Sequence, residues 1–337
     1  MSSSNTTAST SFKAPESSNL QLTDQGRLRH FLTSENLSKE ILTSIMDVAE
    51  SFSSVGNQAI KKVPVLRGKT SVNLFFENST RTRMSFTLAA RRLGADILDL
   101  NASTSSTAKG ETLLDTALNI QAMGVDAMVM RCAASGGPHL VADQVRIPVI
   151  NAGDGKHEHP TQGLLDALSL QQHFGRSTFE GLTMAIVGDI ASSRVARSNA
   201  FGLTTLGADV ILAGPEALVP VELESLVAGR QASRGTLRVE HDLDSVLENV
   251  DAIMMLRVQF ERHGGEGIGE DYTSRYGLTV DRASRLQPGV PVLHPGPVNR
   301  GIEIDPEVAD GDRSLILNQV TCGVAARMAV LKGLLSD

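Results

Sequence analysis

Short apolar segments alternate with helical stretches along most of this chain, and each apolar segment ends in turn or polar residues. Strand, helix and strand in succession are typical of a parallel α/β sheet, because the helix returns the chain to the same edge of the sheet. A long helix predicted over residues 161–173 interrupts the series and would join two such domains. The predicted strands are residues 71–76, 96–100, 127–130 and 149–150 before this helix, and 184–187, 209–212 and 252–256 after it.

The same pattern sets the expected domain boundaries. Residues 1–19 are rich in Ser, Thr, Asn and Ala and lack the apolar middle of a secretory signal, so we predict a flexible extension. An organelle transit peptide is the alternative, since acidic residues are scarce there, although arginine is absent too. We predict a first domain over 20–165 and a second over 166–314. The last segment, 315–337, is predicted to be helical and to pack back on the first domain.

Composition narrows the class of function. The chain has 337 residues, of which 41% are hydrophobic, so it can bury a large core. A net charge of −7 argues against nucleic acid as the main partner. Only Cys132 and Cys322 are present, far apart in sequence, which favours a reducing, cytoplasmic setting over a disulfide framework. No apolar run is long enough to span a bilayer, so we expect no membrane association.

Residues 75–83, Phe-Phe-Glu-Asn-Ser-Thr-Arg-Thr-Arg, run from a predicted strand directly into a predicted helix. A helix N-terminus presents unpaired backbone N–H groups and the positive end of a dipole. Ser79, Thr80 and Thr82 add hydroxyl donors there, and Arg81 adds a planar guanidinium. This junction predicts a phosphate site. An ordinary capped helix with two solvated arginines is the alternative.

Further polar residues follow strands or open helices. Lys109 comes after a Ser/Thr-rich loop, for which a plain surface loop is the alternative. Arg131 lies at the carboxyl end of a predicted strand, where open α/β sheets bind ligands. His157 and His159 could hold a metal, but no third ligand is spaced nearby. We favour a neutral His159 that donates to a carbonyl oxygen, with Gln162 one turn away on the same helix face.

The second half of the chain carries three more candidates. Residues 185–189 resemble half of a dinucleotide-binding fold, but the G-x-G-x-x-G spacing is missing, which argues against a nicotinamide enzyme. Arg194, on the following helix, is interpreted as a carboxylate clamp. Arg257 and Gln259 point to one side of a strand, with a solvated strand end as the alternative. His-Pro-Gly-Pro at 294–297 predicts a rigid turn whose carbonyls can accept from an amine, or else a structural corner.

Taken in order, these motifs resemble the transcarbamoylase family from about residue 20 to the C-terminus. They are STRTR at 79–83, KGET at 109–112, the strand-end Arg131, HPTQ at 159–162, GDIASSR at 188–194, LRVQ at 256–259 and HPGP at 294–297. LRVQ and HPGP resemble the members that use L-aspartate, whereas ornithine-using members carry an SMG loop and an HCLP motif. A carbamoyltransferase for another amine and a catalytically silent scaffold subunit are the alternatives.

The resemblance implies an enzyme that condenses carbamoyl phosphate with L-aspartate to N-carbamoyl-L-aspartate and phosphate, in pyrimidine synthesis. It implies no metal and no cofactor. Carbamoyl phosphate would bind Ser79, Thr80, Arg81, Thr82, Ser105, Lys109, Arg131, His159, Gln162, Pro295 and Gly296. L-Aspartate would bind Lys109, Arg194, Arg257 and Gln259. The residues expected to act in catalysis are Arg81, Thr82, Lys109, Arg131 and His159, while Gln162 and the Pro295 carbonyl would hold the carbamoyl NH2.

The resemblance also implies assembly. Ser105 and Lys109 would be supplied by a neighbouring subunit in a homotrimer, with Ser106 as the alternative serine. The N-terminal extension resembles that of bacterial enzymes that assemble with dihydroorotase or a dihydroorotase-like chain. Two positions depart from the family pattern and could alter packing around the substrate. Cys132 stands where histidine is frequent, and Gly296 stands where some members have leucine.

Overall fold

The computed structural model describes residues 19–35, 37–101, 111–232, 234–258 and 271–336. These residues form nine strands: β1 (Thr70–Phe75), β2 (Asp96–Asn101), β3 (Ala127–Cys132), β4 (Val149–Asp154), β5 (Thr183–Val187), β6 (Asp209–Ala213), β7 (Leu237–Glu240), β8 (Ala252–Met255) and β9 (Val292–Leu293). The first four form one sheet in the order β2-β1-β3-β4, and the other five form a second in the order β7-β6-β5-β8-β9. Every strand pairing is parallel.

Ten α-helices lie within the described ranges: α1 (Lys39–Ser53), α2 (Thr80–Arg92), α3 (Leu113–Ala122), α4 (Gly137–Gln144), α5 (Pro160–Phe174), α6 (Arg194–Thr205), α7 (Tyr272–Tyr276), α8 (Val280–Arg285), α9 (Pro306–Ala309) and α10 (Ile316–Leu335). The Ser38 side chain caps α1 by accepting from the Ile41 N–H, as its position before an apolar-periodic run predicts. Helices separate successive parallel strands, because a parallel connection must cross back over the sheet.

Helix α5 connects the two sheets and is buried from Pro160 to Leu170. It packs against α6 of the second sheet's layer and against α1 and α10. Helix α10 packs in turn against α1 and α2, which belong to the first sheet's layer. The predicted architecture, two parallel-sheet α/β domains linked by a long helix with the C-terminal helix packed back on the first, is therefore confirmed.

Two strands of the second sheet are not predicted from the sequence. Strand β7 has four residues, of which three are partly or fully exposed, so it carries little apolar pattern. Strand β9 has only two residues, although both are buried. Such short strands are stabilised by the neighbours they pair with rather than by their own sequence. Strand β9 leads directly into residues 294–297.

Within the described ranges, no helix combines the length and the apolar character that crossing a membrane requires.

Helices α5 and α6 lie close together at Gly163. A Cβ atom built on Gly163 would lie 3.0 Å from the Ser198 carbonyl oxygen, whereas one built on Gly202 would meet no atom within 4 Å. Alanine in a helix interior is favoured over glycine by about 0.5–1 kcal/mol. That gain requires space for the added methyl group.

We therefore expect Gly202→Ala to raise the free energy of unfolding by about 0.5–1 kcal/mol. Gly163→Ala is expected to lower it, because the methyl group would push α5 and α6 apart. Urea unfolding followed by circular dichroism measures both changes. Equal stabilisation by the two substitutions would show that the helices do not pack closely at Gly163.

Candidate active site

A cavity of about 810 Å³ opens between the two domains. Its walls come from Arg131 in β3, from residues that follow β1, β5, β8 and β9, and from helices α2, α5, α6 and α10. Most of these positions lie at the carboxyl ends of parallel strands, where crossover helices begin and side chains from separate loops converge. Two sheets that present such edges to one another enclose a site between them.

The cavity brings together most of the residues predicted from the sequence. Those that line it are Ser79, Thr80, Arg81, Thr82, Arg131, His159, Gln162, Arg194, Arg257, Pro295 and Gly296. Ser105, Ser106, Lys109 and Gln259 lie outside the described residues, so their predicted roles stay predictions.

Two helix N-termini border the cavity without a side-chain cap. The N-cap residues Ser79 of α2 and His159 of α5 form no capping hydrogen bond. By contrast, Ser193 caps α6 by accepting from the Ala196 N–H. Uncapped helix ends retain unsatisfied N–H groups and the positive end of the dipole, which together favour an anion. The hydroxyl of Ser79 is therefore left available to a ligand.

The Arg81 guanidinium forms no hydrogen bond or ion pair with any residue of the described ranges, and partial burial lowers its pKa. The absence of a side chain at Gly296 allows Arg81 to lie against the turn at 294–297. Gly296 has φ of +65°, and a Cβ atom there would lie 2.2 Å from Arg81 Nη1. The departure from leucine at this position therefore matches both the backbone conformation and the position of Arg81.

Glu77 connects Arg131 and Arg194 across the cavity. Its carboxylate lies 3.4 Å from Arg131 Nε and accepts from Arg194 Nη1 and Nη2 at 3.2 and 3.3 Å. Arg131 ends strand β3 of the first sheet and Arg194 opens α6 beside the second, so this ion pair spans the two domains. A Cβ atom at Gly153 would lie 3.1 Å from both guanidinium groups, which is why glycine suits that position. Glu77 is not among the residues predicted to be functional.

Arg327 also lines the cavity without having been predicted. It lies on α10, is only 4% exposed, and stacks over the Phe86 ring at 5.1 Å. Its Nη1 donates to the Gly323 carbonyl, and burial lowers the pKa of the guanidinium to about 10. A single arginine within the otherwise apolar run 322–331 was the available signal, since an unpaired charge on a buried helix face is costly unless it has a role.

His159 is buried at the wall of the cavity, and its backbone N–H donates to Ser198 Oγ at 2.9 Å. Burial, followed by the charges of Arg131, Arg327 and Arg194, holds the pKa of its imidazole well below the ordinary value. The ring is therefore neutral at pH 7. A neutral imidazole has one N–H to donate, which is the form that polarisation of a carbonyl oxygen requires.

His157 has neighbours that the sequence did not suggest. Possible ligand atoms of His139, Asp154 and His157, and likewise of Glu35, His157 and Glu158, lie within 4.8 Å of one another, but neither group among the described residues includes His159. However, each Asp154 oxygen already accepts two hydrogen bonds: Oδ1 from the Asn151 amide and a backbone N–H, and Oδ2 from another backbone N–H and His157 Nδ1. These four hydrogen bonds satisfy the buried Asp154 carboxylate, which therefore stabilises its own loop.

Cys132, the other departure from the family pattern, does not reach the cavity. Its thiol donates to the Ala134 carbonyl at 3.3 Å and packs against Gly137, where a Cβ atom would lie 2.6 Å from Sγ. Burial raises the pKa of the thiol to about 12, so it stays protonated. The expectation that Cys132 alters packing around a substrate is therefore wrong.

Two models of a single protein family match the chain. Residues 29–172 match the carbamoyl-P binding domain of aspartate/ornithine carbamoyltransferase, and residues 180–334 match the Asp/Orn binding domain. The chain belongs to the aspartate/ornithine carbamoyltransferase family. The resemblance carried by the sequence motifs is thereby confirmed.

Solved structures of carbamoyltransferases are similar over nearly the whole chain. Aspartate transcarbamoylase from Trypanosoma cruzi, in complex with carbamoyl phosphate and aspartate, is 27% identical with a TM-score of 0.81, over 91% of this chain and 97% of that one. The catalytic subunit of M. jannaschii aspartate transcarbamoylase is 30% identical with a TM-score of 0.78, over 91% and 98%. Ornithine carbamoyltransferase from Pyrococcus furiosus is 28% identical with a TM-score of 0.80, over 91% and 97%. Overall likeness therefore does not separate the two amine substrates.

The cavity should bind inorganic phosphate through Arg81 and the N-terminus of α2. We expect Arg81→Met to weaken phosphate binding about 10- to 100-fold, since a charge-assisted hydrogen bond contributes about 1.5–3 kcal/mol. Arg83→Met is the matched control, because Arg83 lies two residues further along α2 and does not line the cavity. Isothermal titration calorimetry measures both. An equal loss in the two variants would mean that general charge, not Arg81, attracts the anion.

Proposed function

We propose that this protein is an aspartate carbamoyltransferase. The observation that carries the proposal is the charge of the cavity: among the described residues, five arginines line it against one carboxylate, Glu77. That carboxylate is already engaged by Arg131 and Arg194. Two anionic substrates, an acyl phosphate and a dicarboxylic amino acid, suit this excess of positive charge.

Ornithine is a poorer match to the same cavity. Its side chain ends in an ammonium group, which needs a carboxylate or a set of acceptors once it leaves water. Among the described residues, no acidic side chain other than Glu77 lines the cavity. L-Aspartate instead presents a second carboxylate, for which Arg194 and Arg257 are suitable partners. The LRVQ motif at 256–259 supports the same choice.

The reaction can be assigned group by group. The phosphate end of carbamoyl phosphate binds Ser79, Thr80, Arg81 and Thr82 at the α2 N-terminus. Arg131, Thr82 and the neutral His159 donate to the carbonyl oxygen and stabilise the negative charge that develops there. The aspartate amine attacks the carbonyl carbon as a neutral nucleophile, a C–N bond forms, and the C–O bond to phosphate breaks. The departing phosphate takes the proton from the amine.

Positioning supplies much of the acceleration in such a scheme. Holding the amine and the carbamoyl group in line converts a bimolecular encounter into an effectively intramolecular one. Arg194 and Arg257 lie on the second sheet's side of the cavity and the phosphate site lies on the first. Closing the domains around both anions therefore brings the reactants together and excludes water.

Release of phosphate from carbamoyl phosphate, measured with L-aspartate, with L-ornithine and with no amine, tests the proposal. We expect turnover with aspartate only. Arg257→Leu should raise the KM for aspartate at least tenfold with a smaller change in kcat, because it removes a ground-state contact to one carboxylate. Its affinity for inorganic phosphate should match that of the unaltered chain, which serves as the control. Turnover with ornithine instead would replace the proposal by an ornithine carbamoyltransferase.

We also propose that the active unit is a homotrimer with sites shared between subunits. Met84 and Leu88 on α2, and Leu98 on β2, are 64%, 41% and 50% exposed. Strand β2 is an edge strand of the first sheet. Apolar side chains exposed beside a sheet edge are typical of a surface that a partner covers. Lys109, and Ser105 or Ser106, would then complete the cavity of the neighbouring chain.

Mixing two inactive variants tests this sharing. We expect Arg81→Ala and Lys109→Ala chains to be nearly inactive alone. Trimers reassembled from equal amounts should regain about a quarter of the sites, because half of the chains keep Arg81 and half of their neighbours keep Lys109. Phosphate release after co-refolding measures the recovery. No recovery, despite trimers in light scattering, would place both residues in one chain's site.

The remaining parts of the proposal concern context. Residues 1–18 lie outside the described ranges, so assembly with a dihydroorotase-like chain stays a prediction. The domain limits 20–165 and 166–314, the cytoplasmic setting and the place in pyrimidine synthesis are likewise proposals, supported by the family and by the sequence.

A further inference from the structure

The buried carboxylate of Asp166 holds three helices together. It lies on α5, is 0% exposed, and does not itself line the cavity. Its Oδ1 accepts from Gln162 Nε2 at 2.9 Å and from Gln319 Nε2 of α10 at 2.7 Å. Its Oδ2 accepts from Asn199 Nδ2 of α6 at 2.8 Å. Burial raises the pKa of this carboxyl to about 6, so it remains ionised at neutral pH and can only accept hydrogen bonds.

The first consequence concerns the orientation of Gln162. A glutamine amide has a donor side and an acceptor side, and an ionised carboxylate can be met only by the donor side. With its Nε2 on Asp166, Gln162 turns its carbonyl oxygen away from that carboxylate. Because Gln162 lines the cavity, that oxygen is an acceptor for a ligand. A flipped amide would lose the bond to Asp166 and leave a buried acceptor unmatched.

The second consequence passes through Gln319 to the turn at 294–297. With its Nε2 on Asp166, Gln319 uses Oε1 to accept from the His294 backbone N–H at 3.0 Å. His294 Nδ1 then accepts from the Gly296 N–H at 2.8 Å. These two bonds bracket Pro295, which has no N–H of its own and offers only its carbonyl oxygen. One carboxylate thus fixes two acceptors of the same cavity.

We infer that Asp166 is the positioning residue that makes the cavity select an acyl phosphate bearing an NH2 group over one bearing a methyl group. Two preset acceptors, Gln162 Oε1 and the Pro295 carbonyl, match the two N–H bonds of a carbamoyl group. An acetyl group offers no donor and would leave both acceptors unpaired, and sites built this way discriminate strongly. The inference rests on the proposed function for the identity of the acyl donor, but not for that of the amine.

A purely structural role for Asp166 makes a different prediction. The bond between Asp166 Oδ2 and Asn199 joins α5 to α6 and touches neither acceptor. Removing it should loosen the packing without changing which ligand is preferred. Removing the bond between Asp166 and Gln319 should change the ligand preference while leaving the bond between Asp166 and Gln162 in place. Substitutions at Gln319 and at Asn199 therefore distinguish an effect on ligand selectivity from an effect on stability.

The test compares two stable ligands, phosphonoacetamide and 2-oxopropylphosphonate, which differ only in NH2 against CH3 beside the carbonyl. Dissociation constants are measured by calorimetry for the unaltered chain and for three variants. Asp166→Leu keeps the branched shape and the number of heavy atoms while removing both carboxylate oxygens, Gln319→Met removes the bond from α10, and Asn199→Ala is the matched control. Inorganic phosphate, titrated into each protein, reports whether the phosphate half of the cavity is intact.

We expect the unaltered chain to prefer the amide at least tenfold. Asp166→Leu should reduce that preference about tenfold and Gln319→Met by a smaller factor, with phosphate affinity unchanged in both. Asn199→Ala should keep the full preference and lower only the unfolding temperature. If Asp166→Leu does not fold, the comparison of Gln319→Met with Asn199→Ala still tests whether the hydrogen bonds of Asp166 set the ligand preference.

An unchanged preference in Asp166→Leu or in Gln319→Met would overturn the inference, as would the absence of any preference in the unaltered chain. These outcomes are distinct from failure of the proposed function. Turnover with ornithine would change the amine and leave the inference standing. Failure to bind either phosphonate would remove the proposed acyl donor itself.

Discussion

Holding five guanidinium groups around one cavity is the constraint on which much of this structure depends. The arginines come from separate elements, and one of them, Arg327, is almost fully buried. Burial makes such a charge costly, and it lowers the pKa of the Arg81 and Arg327 guanidinium groups. Glu77 offsets part of this cost by pairing with Arg131 and Arg194. The net excess of positive charge favours anion binding.

Much of this arrangement follows from the sequence. Apolar runs that end in charged or hydroxyl residues predict the strands, and parallel topology then requires their carboxyl ends to lie at one edge. Ser79 to Thr82, Arg131, His159 and Gln162 could be placed together for that reason alone. Gly153 could not, because its importance depends on how closely Arg131 and Arg194 approach it in three dimensions, and Gly296 was named only through the resemblance, without its contact with Arg81.

Glu77 and Asp166, which were not predicted, share one property: each has a partner far away in sequence. Glu77 lies 117 residues from Arg194, and Asp166 lies 153 residues from Gln319. Local propensity and periodicity report on neighbours within a turn or two, and carry no information about such pairings. Strand β9 was not predicted for the same reason, since its two residues form a strand only because β8 lies beside them.

The two sides of the cavity are formed by different structural elements, and this difference bears on the proposed specificity for each substrate. The side proposed to bind the acyl phosphate includes the first turns of α2 and α5, and α5 packs against α10. Helices packed on several sides move little, so the Gln162 acceptor on α5 is held in a fixed position. The side proposed to bind the amine includes Arg194 at the start of α6 and Arg257 just after β8. The proposed choice of L-aspartate rests on the positive charge of the cavity and not on the fold, which aspartate- and ornithine-using relatives share.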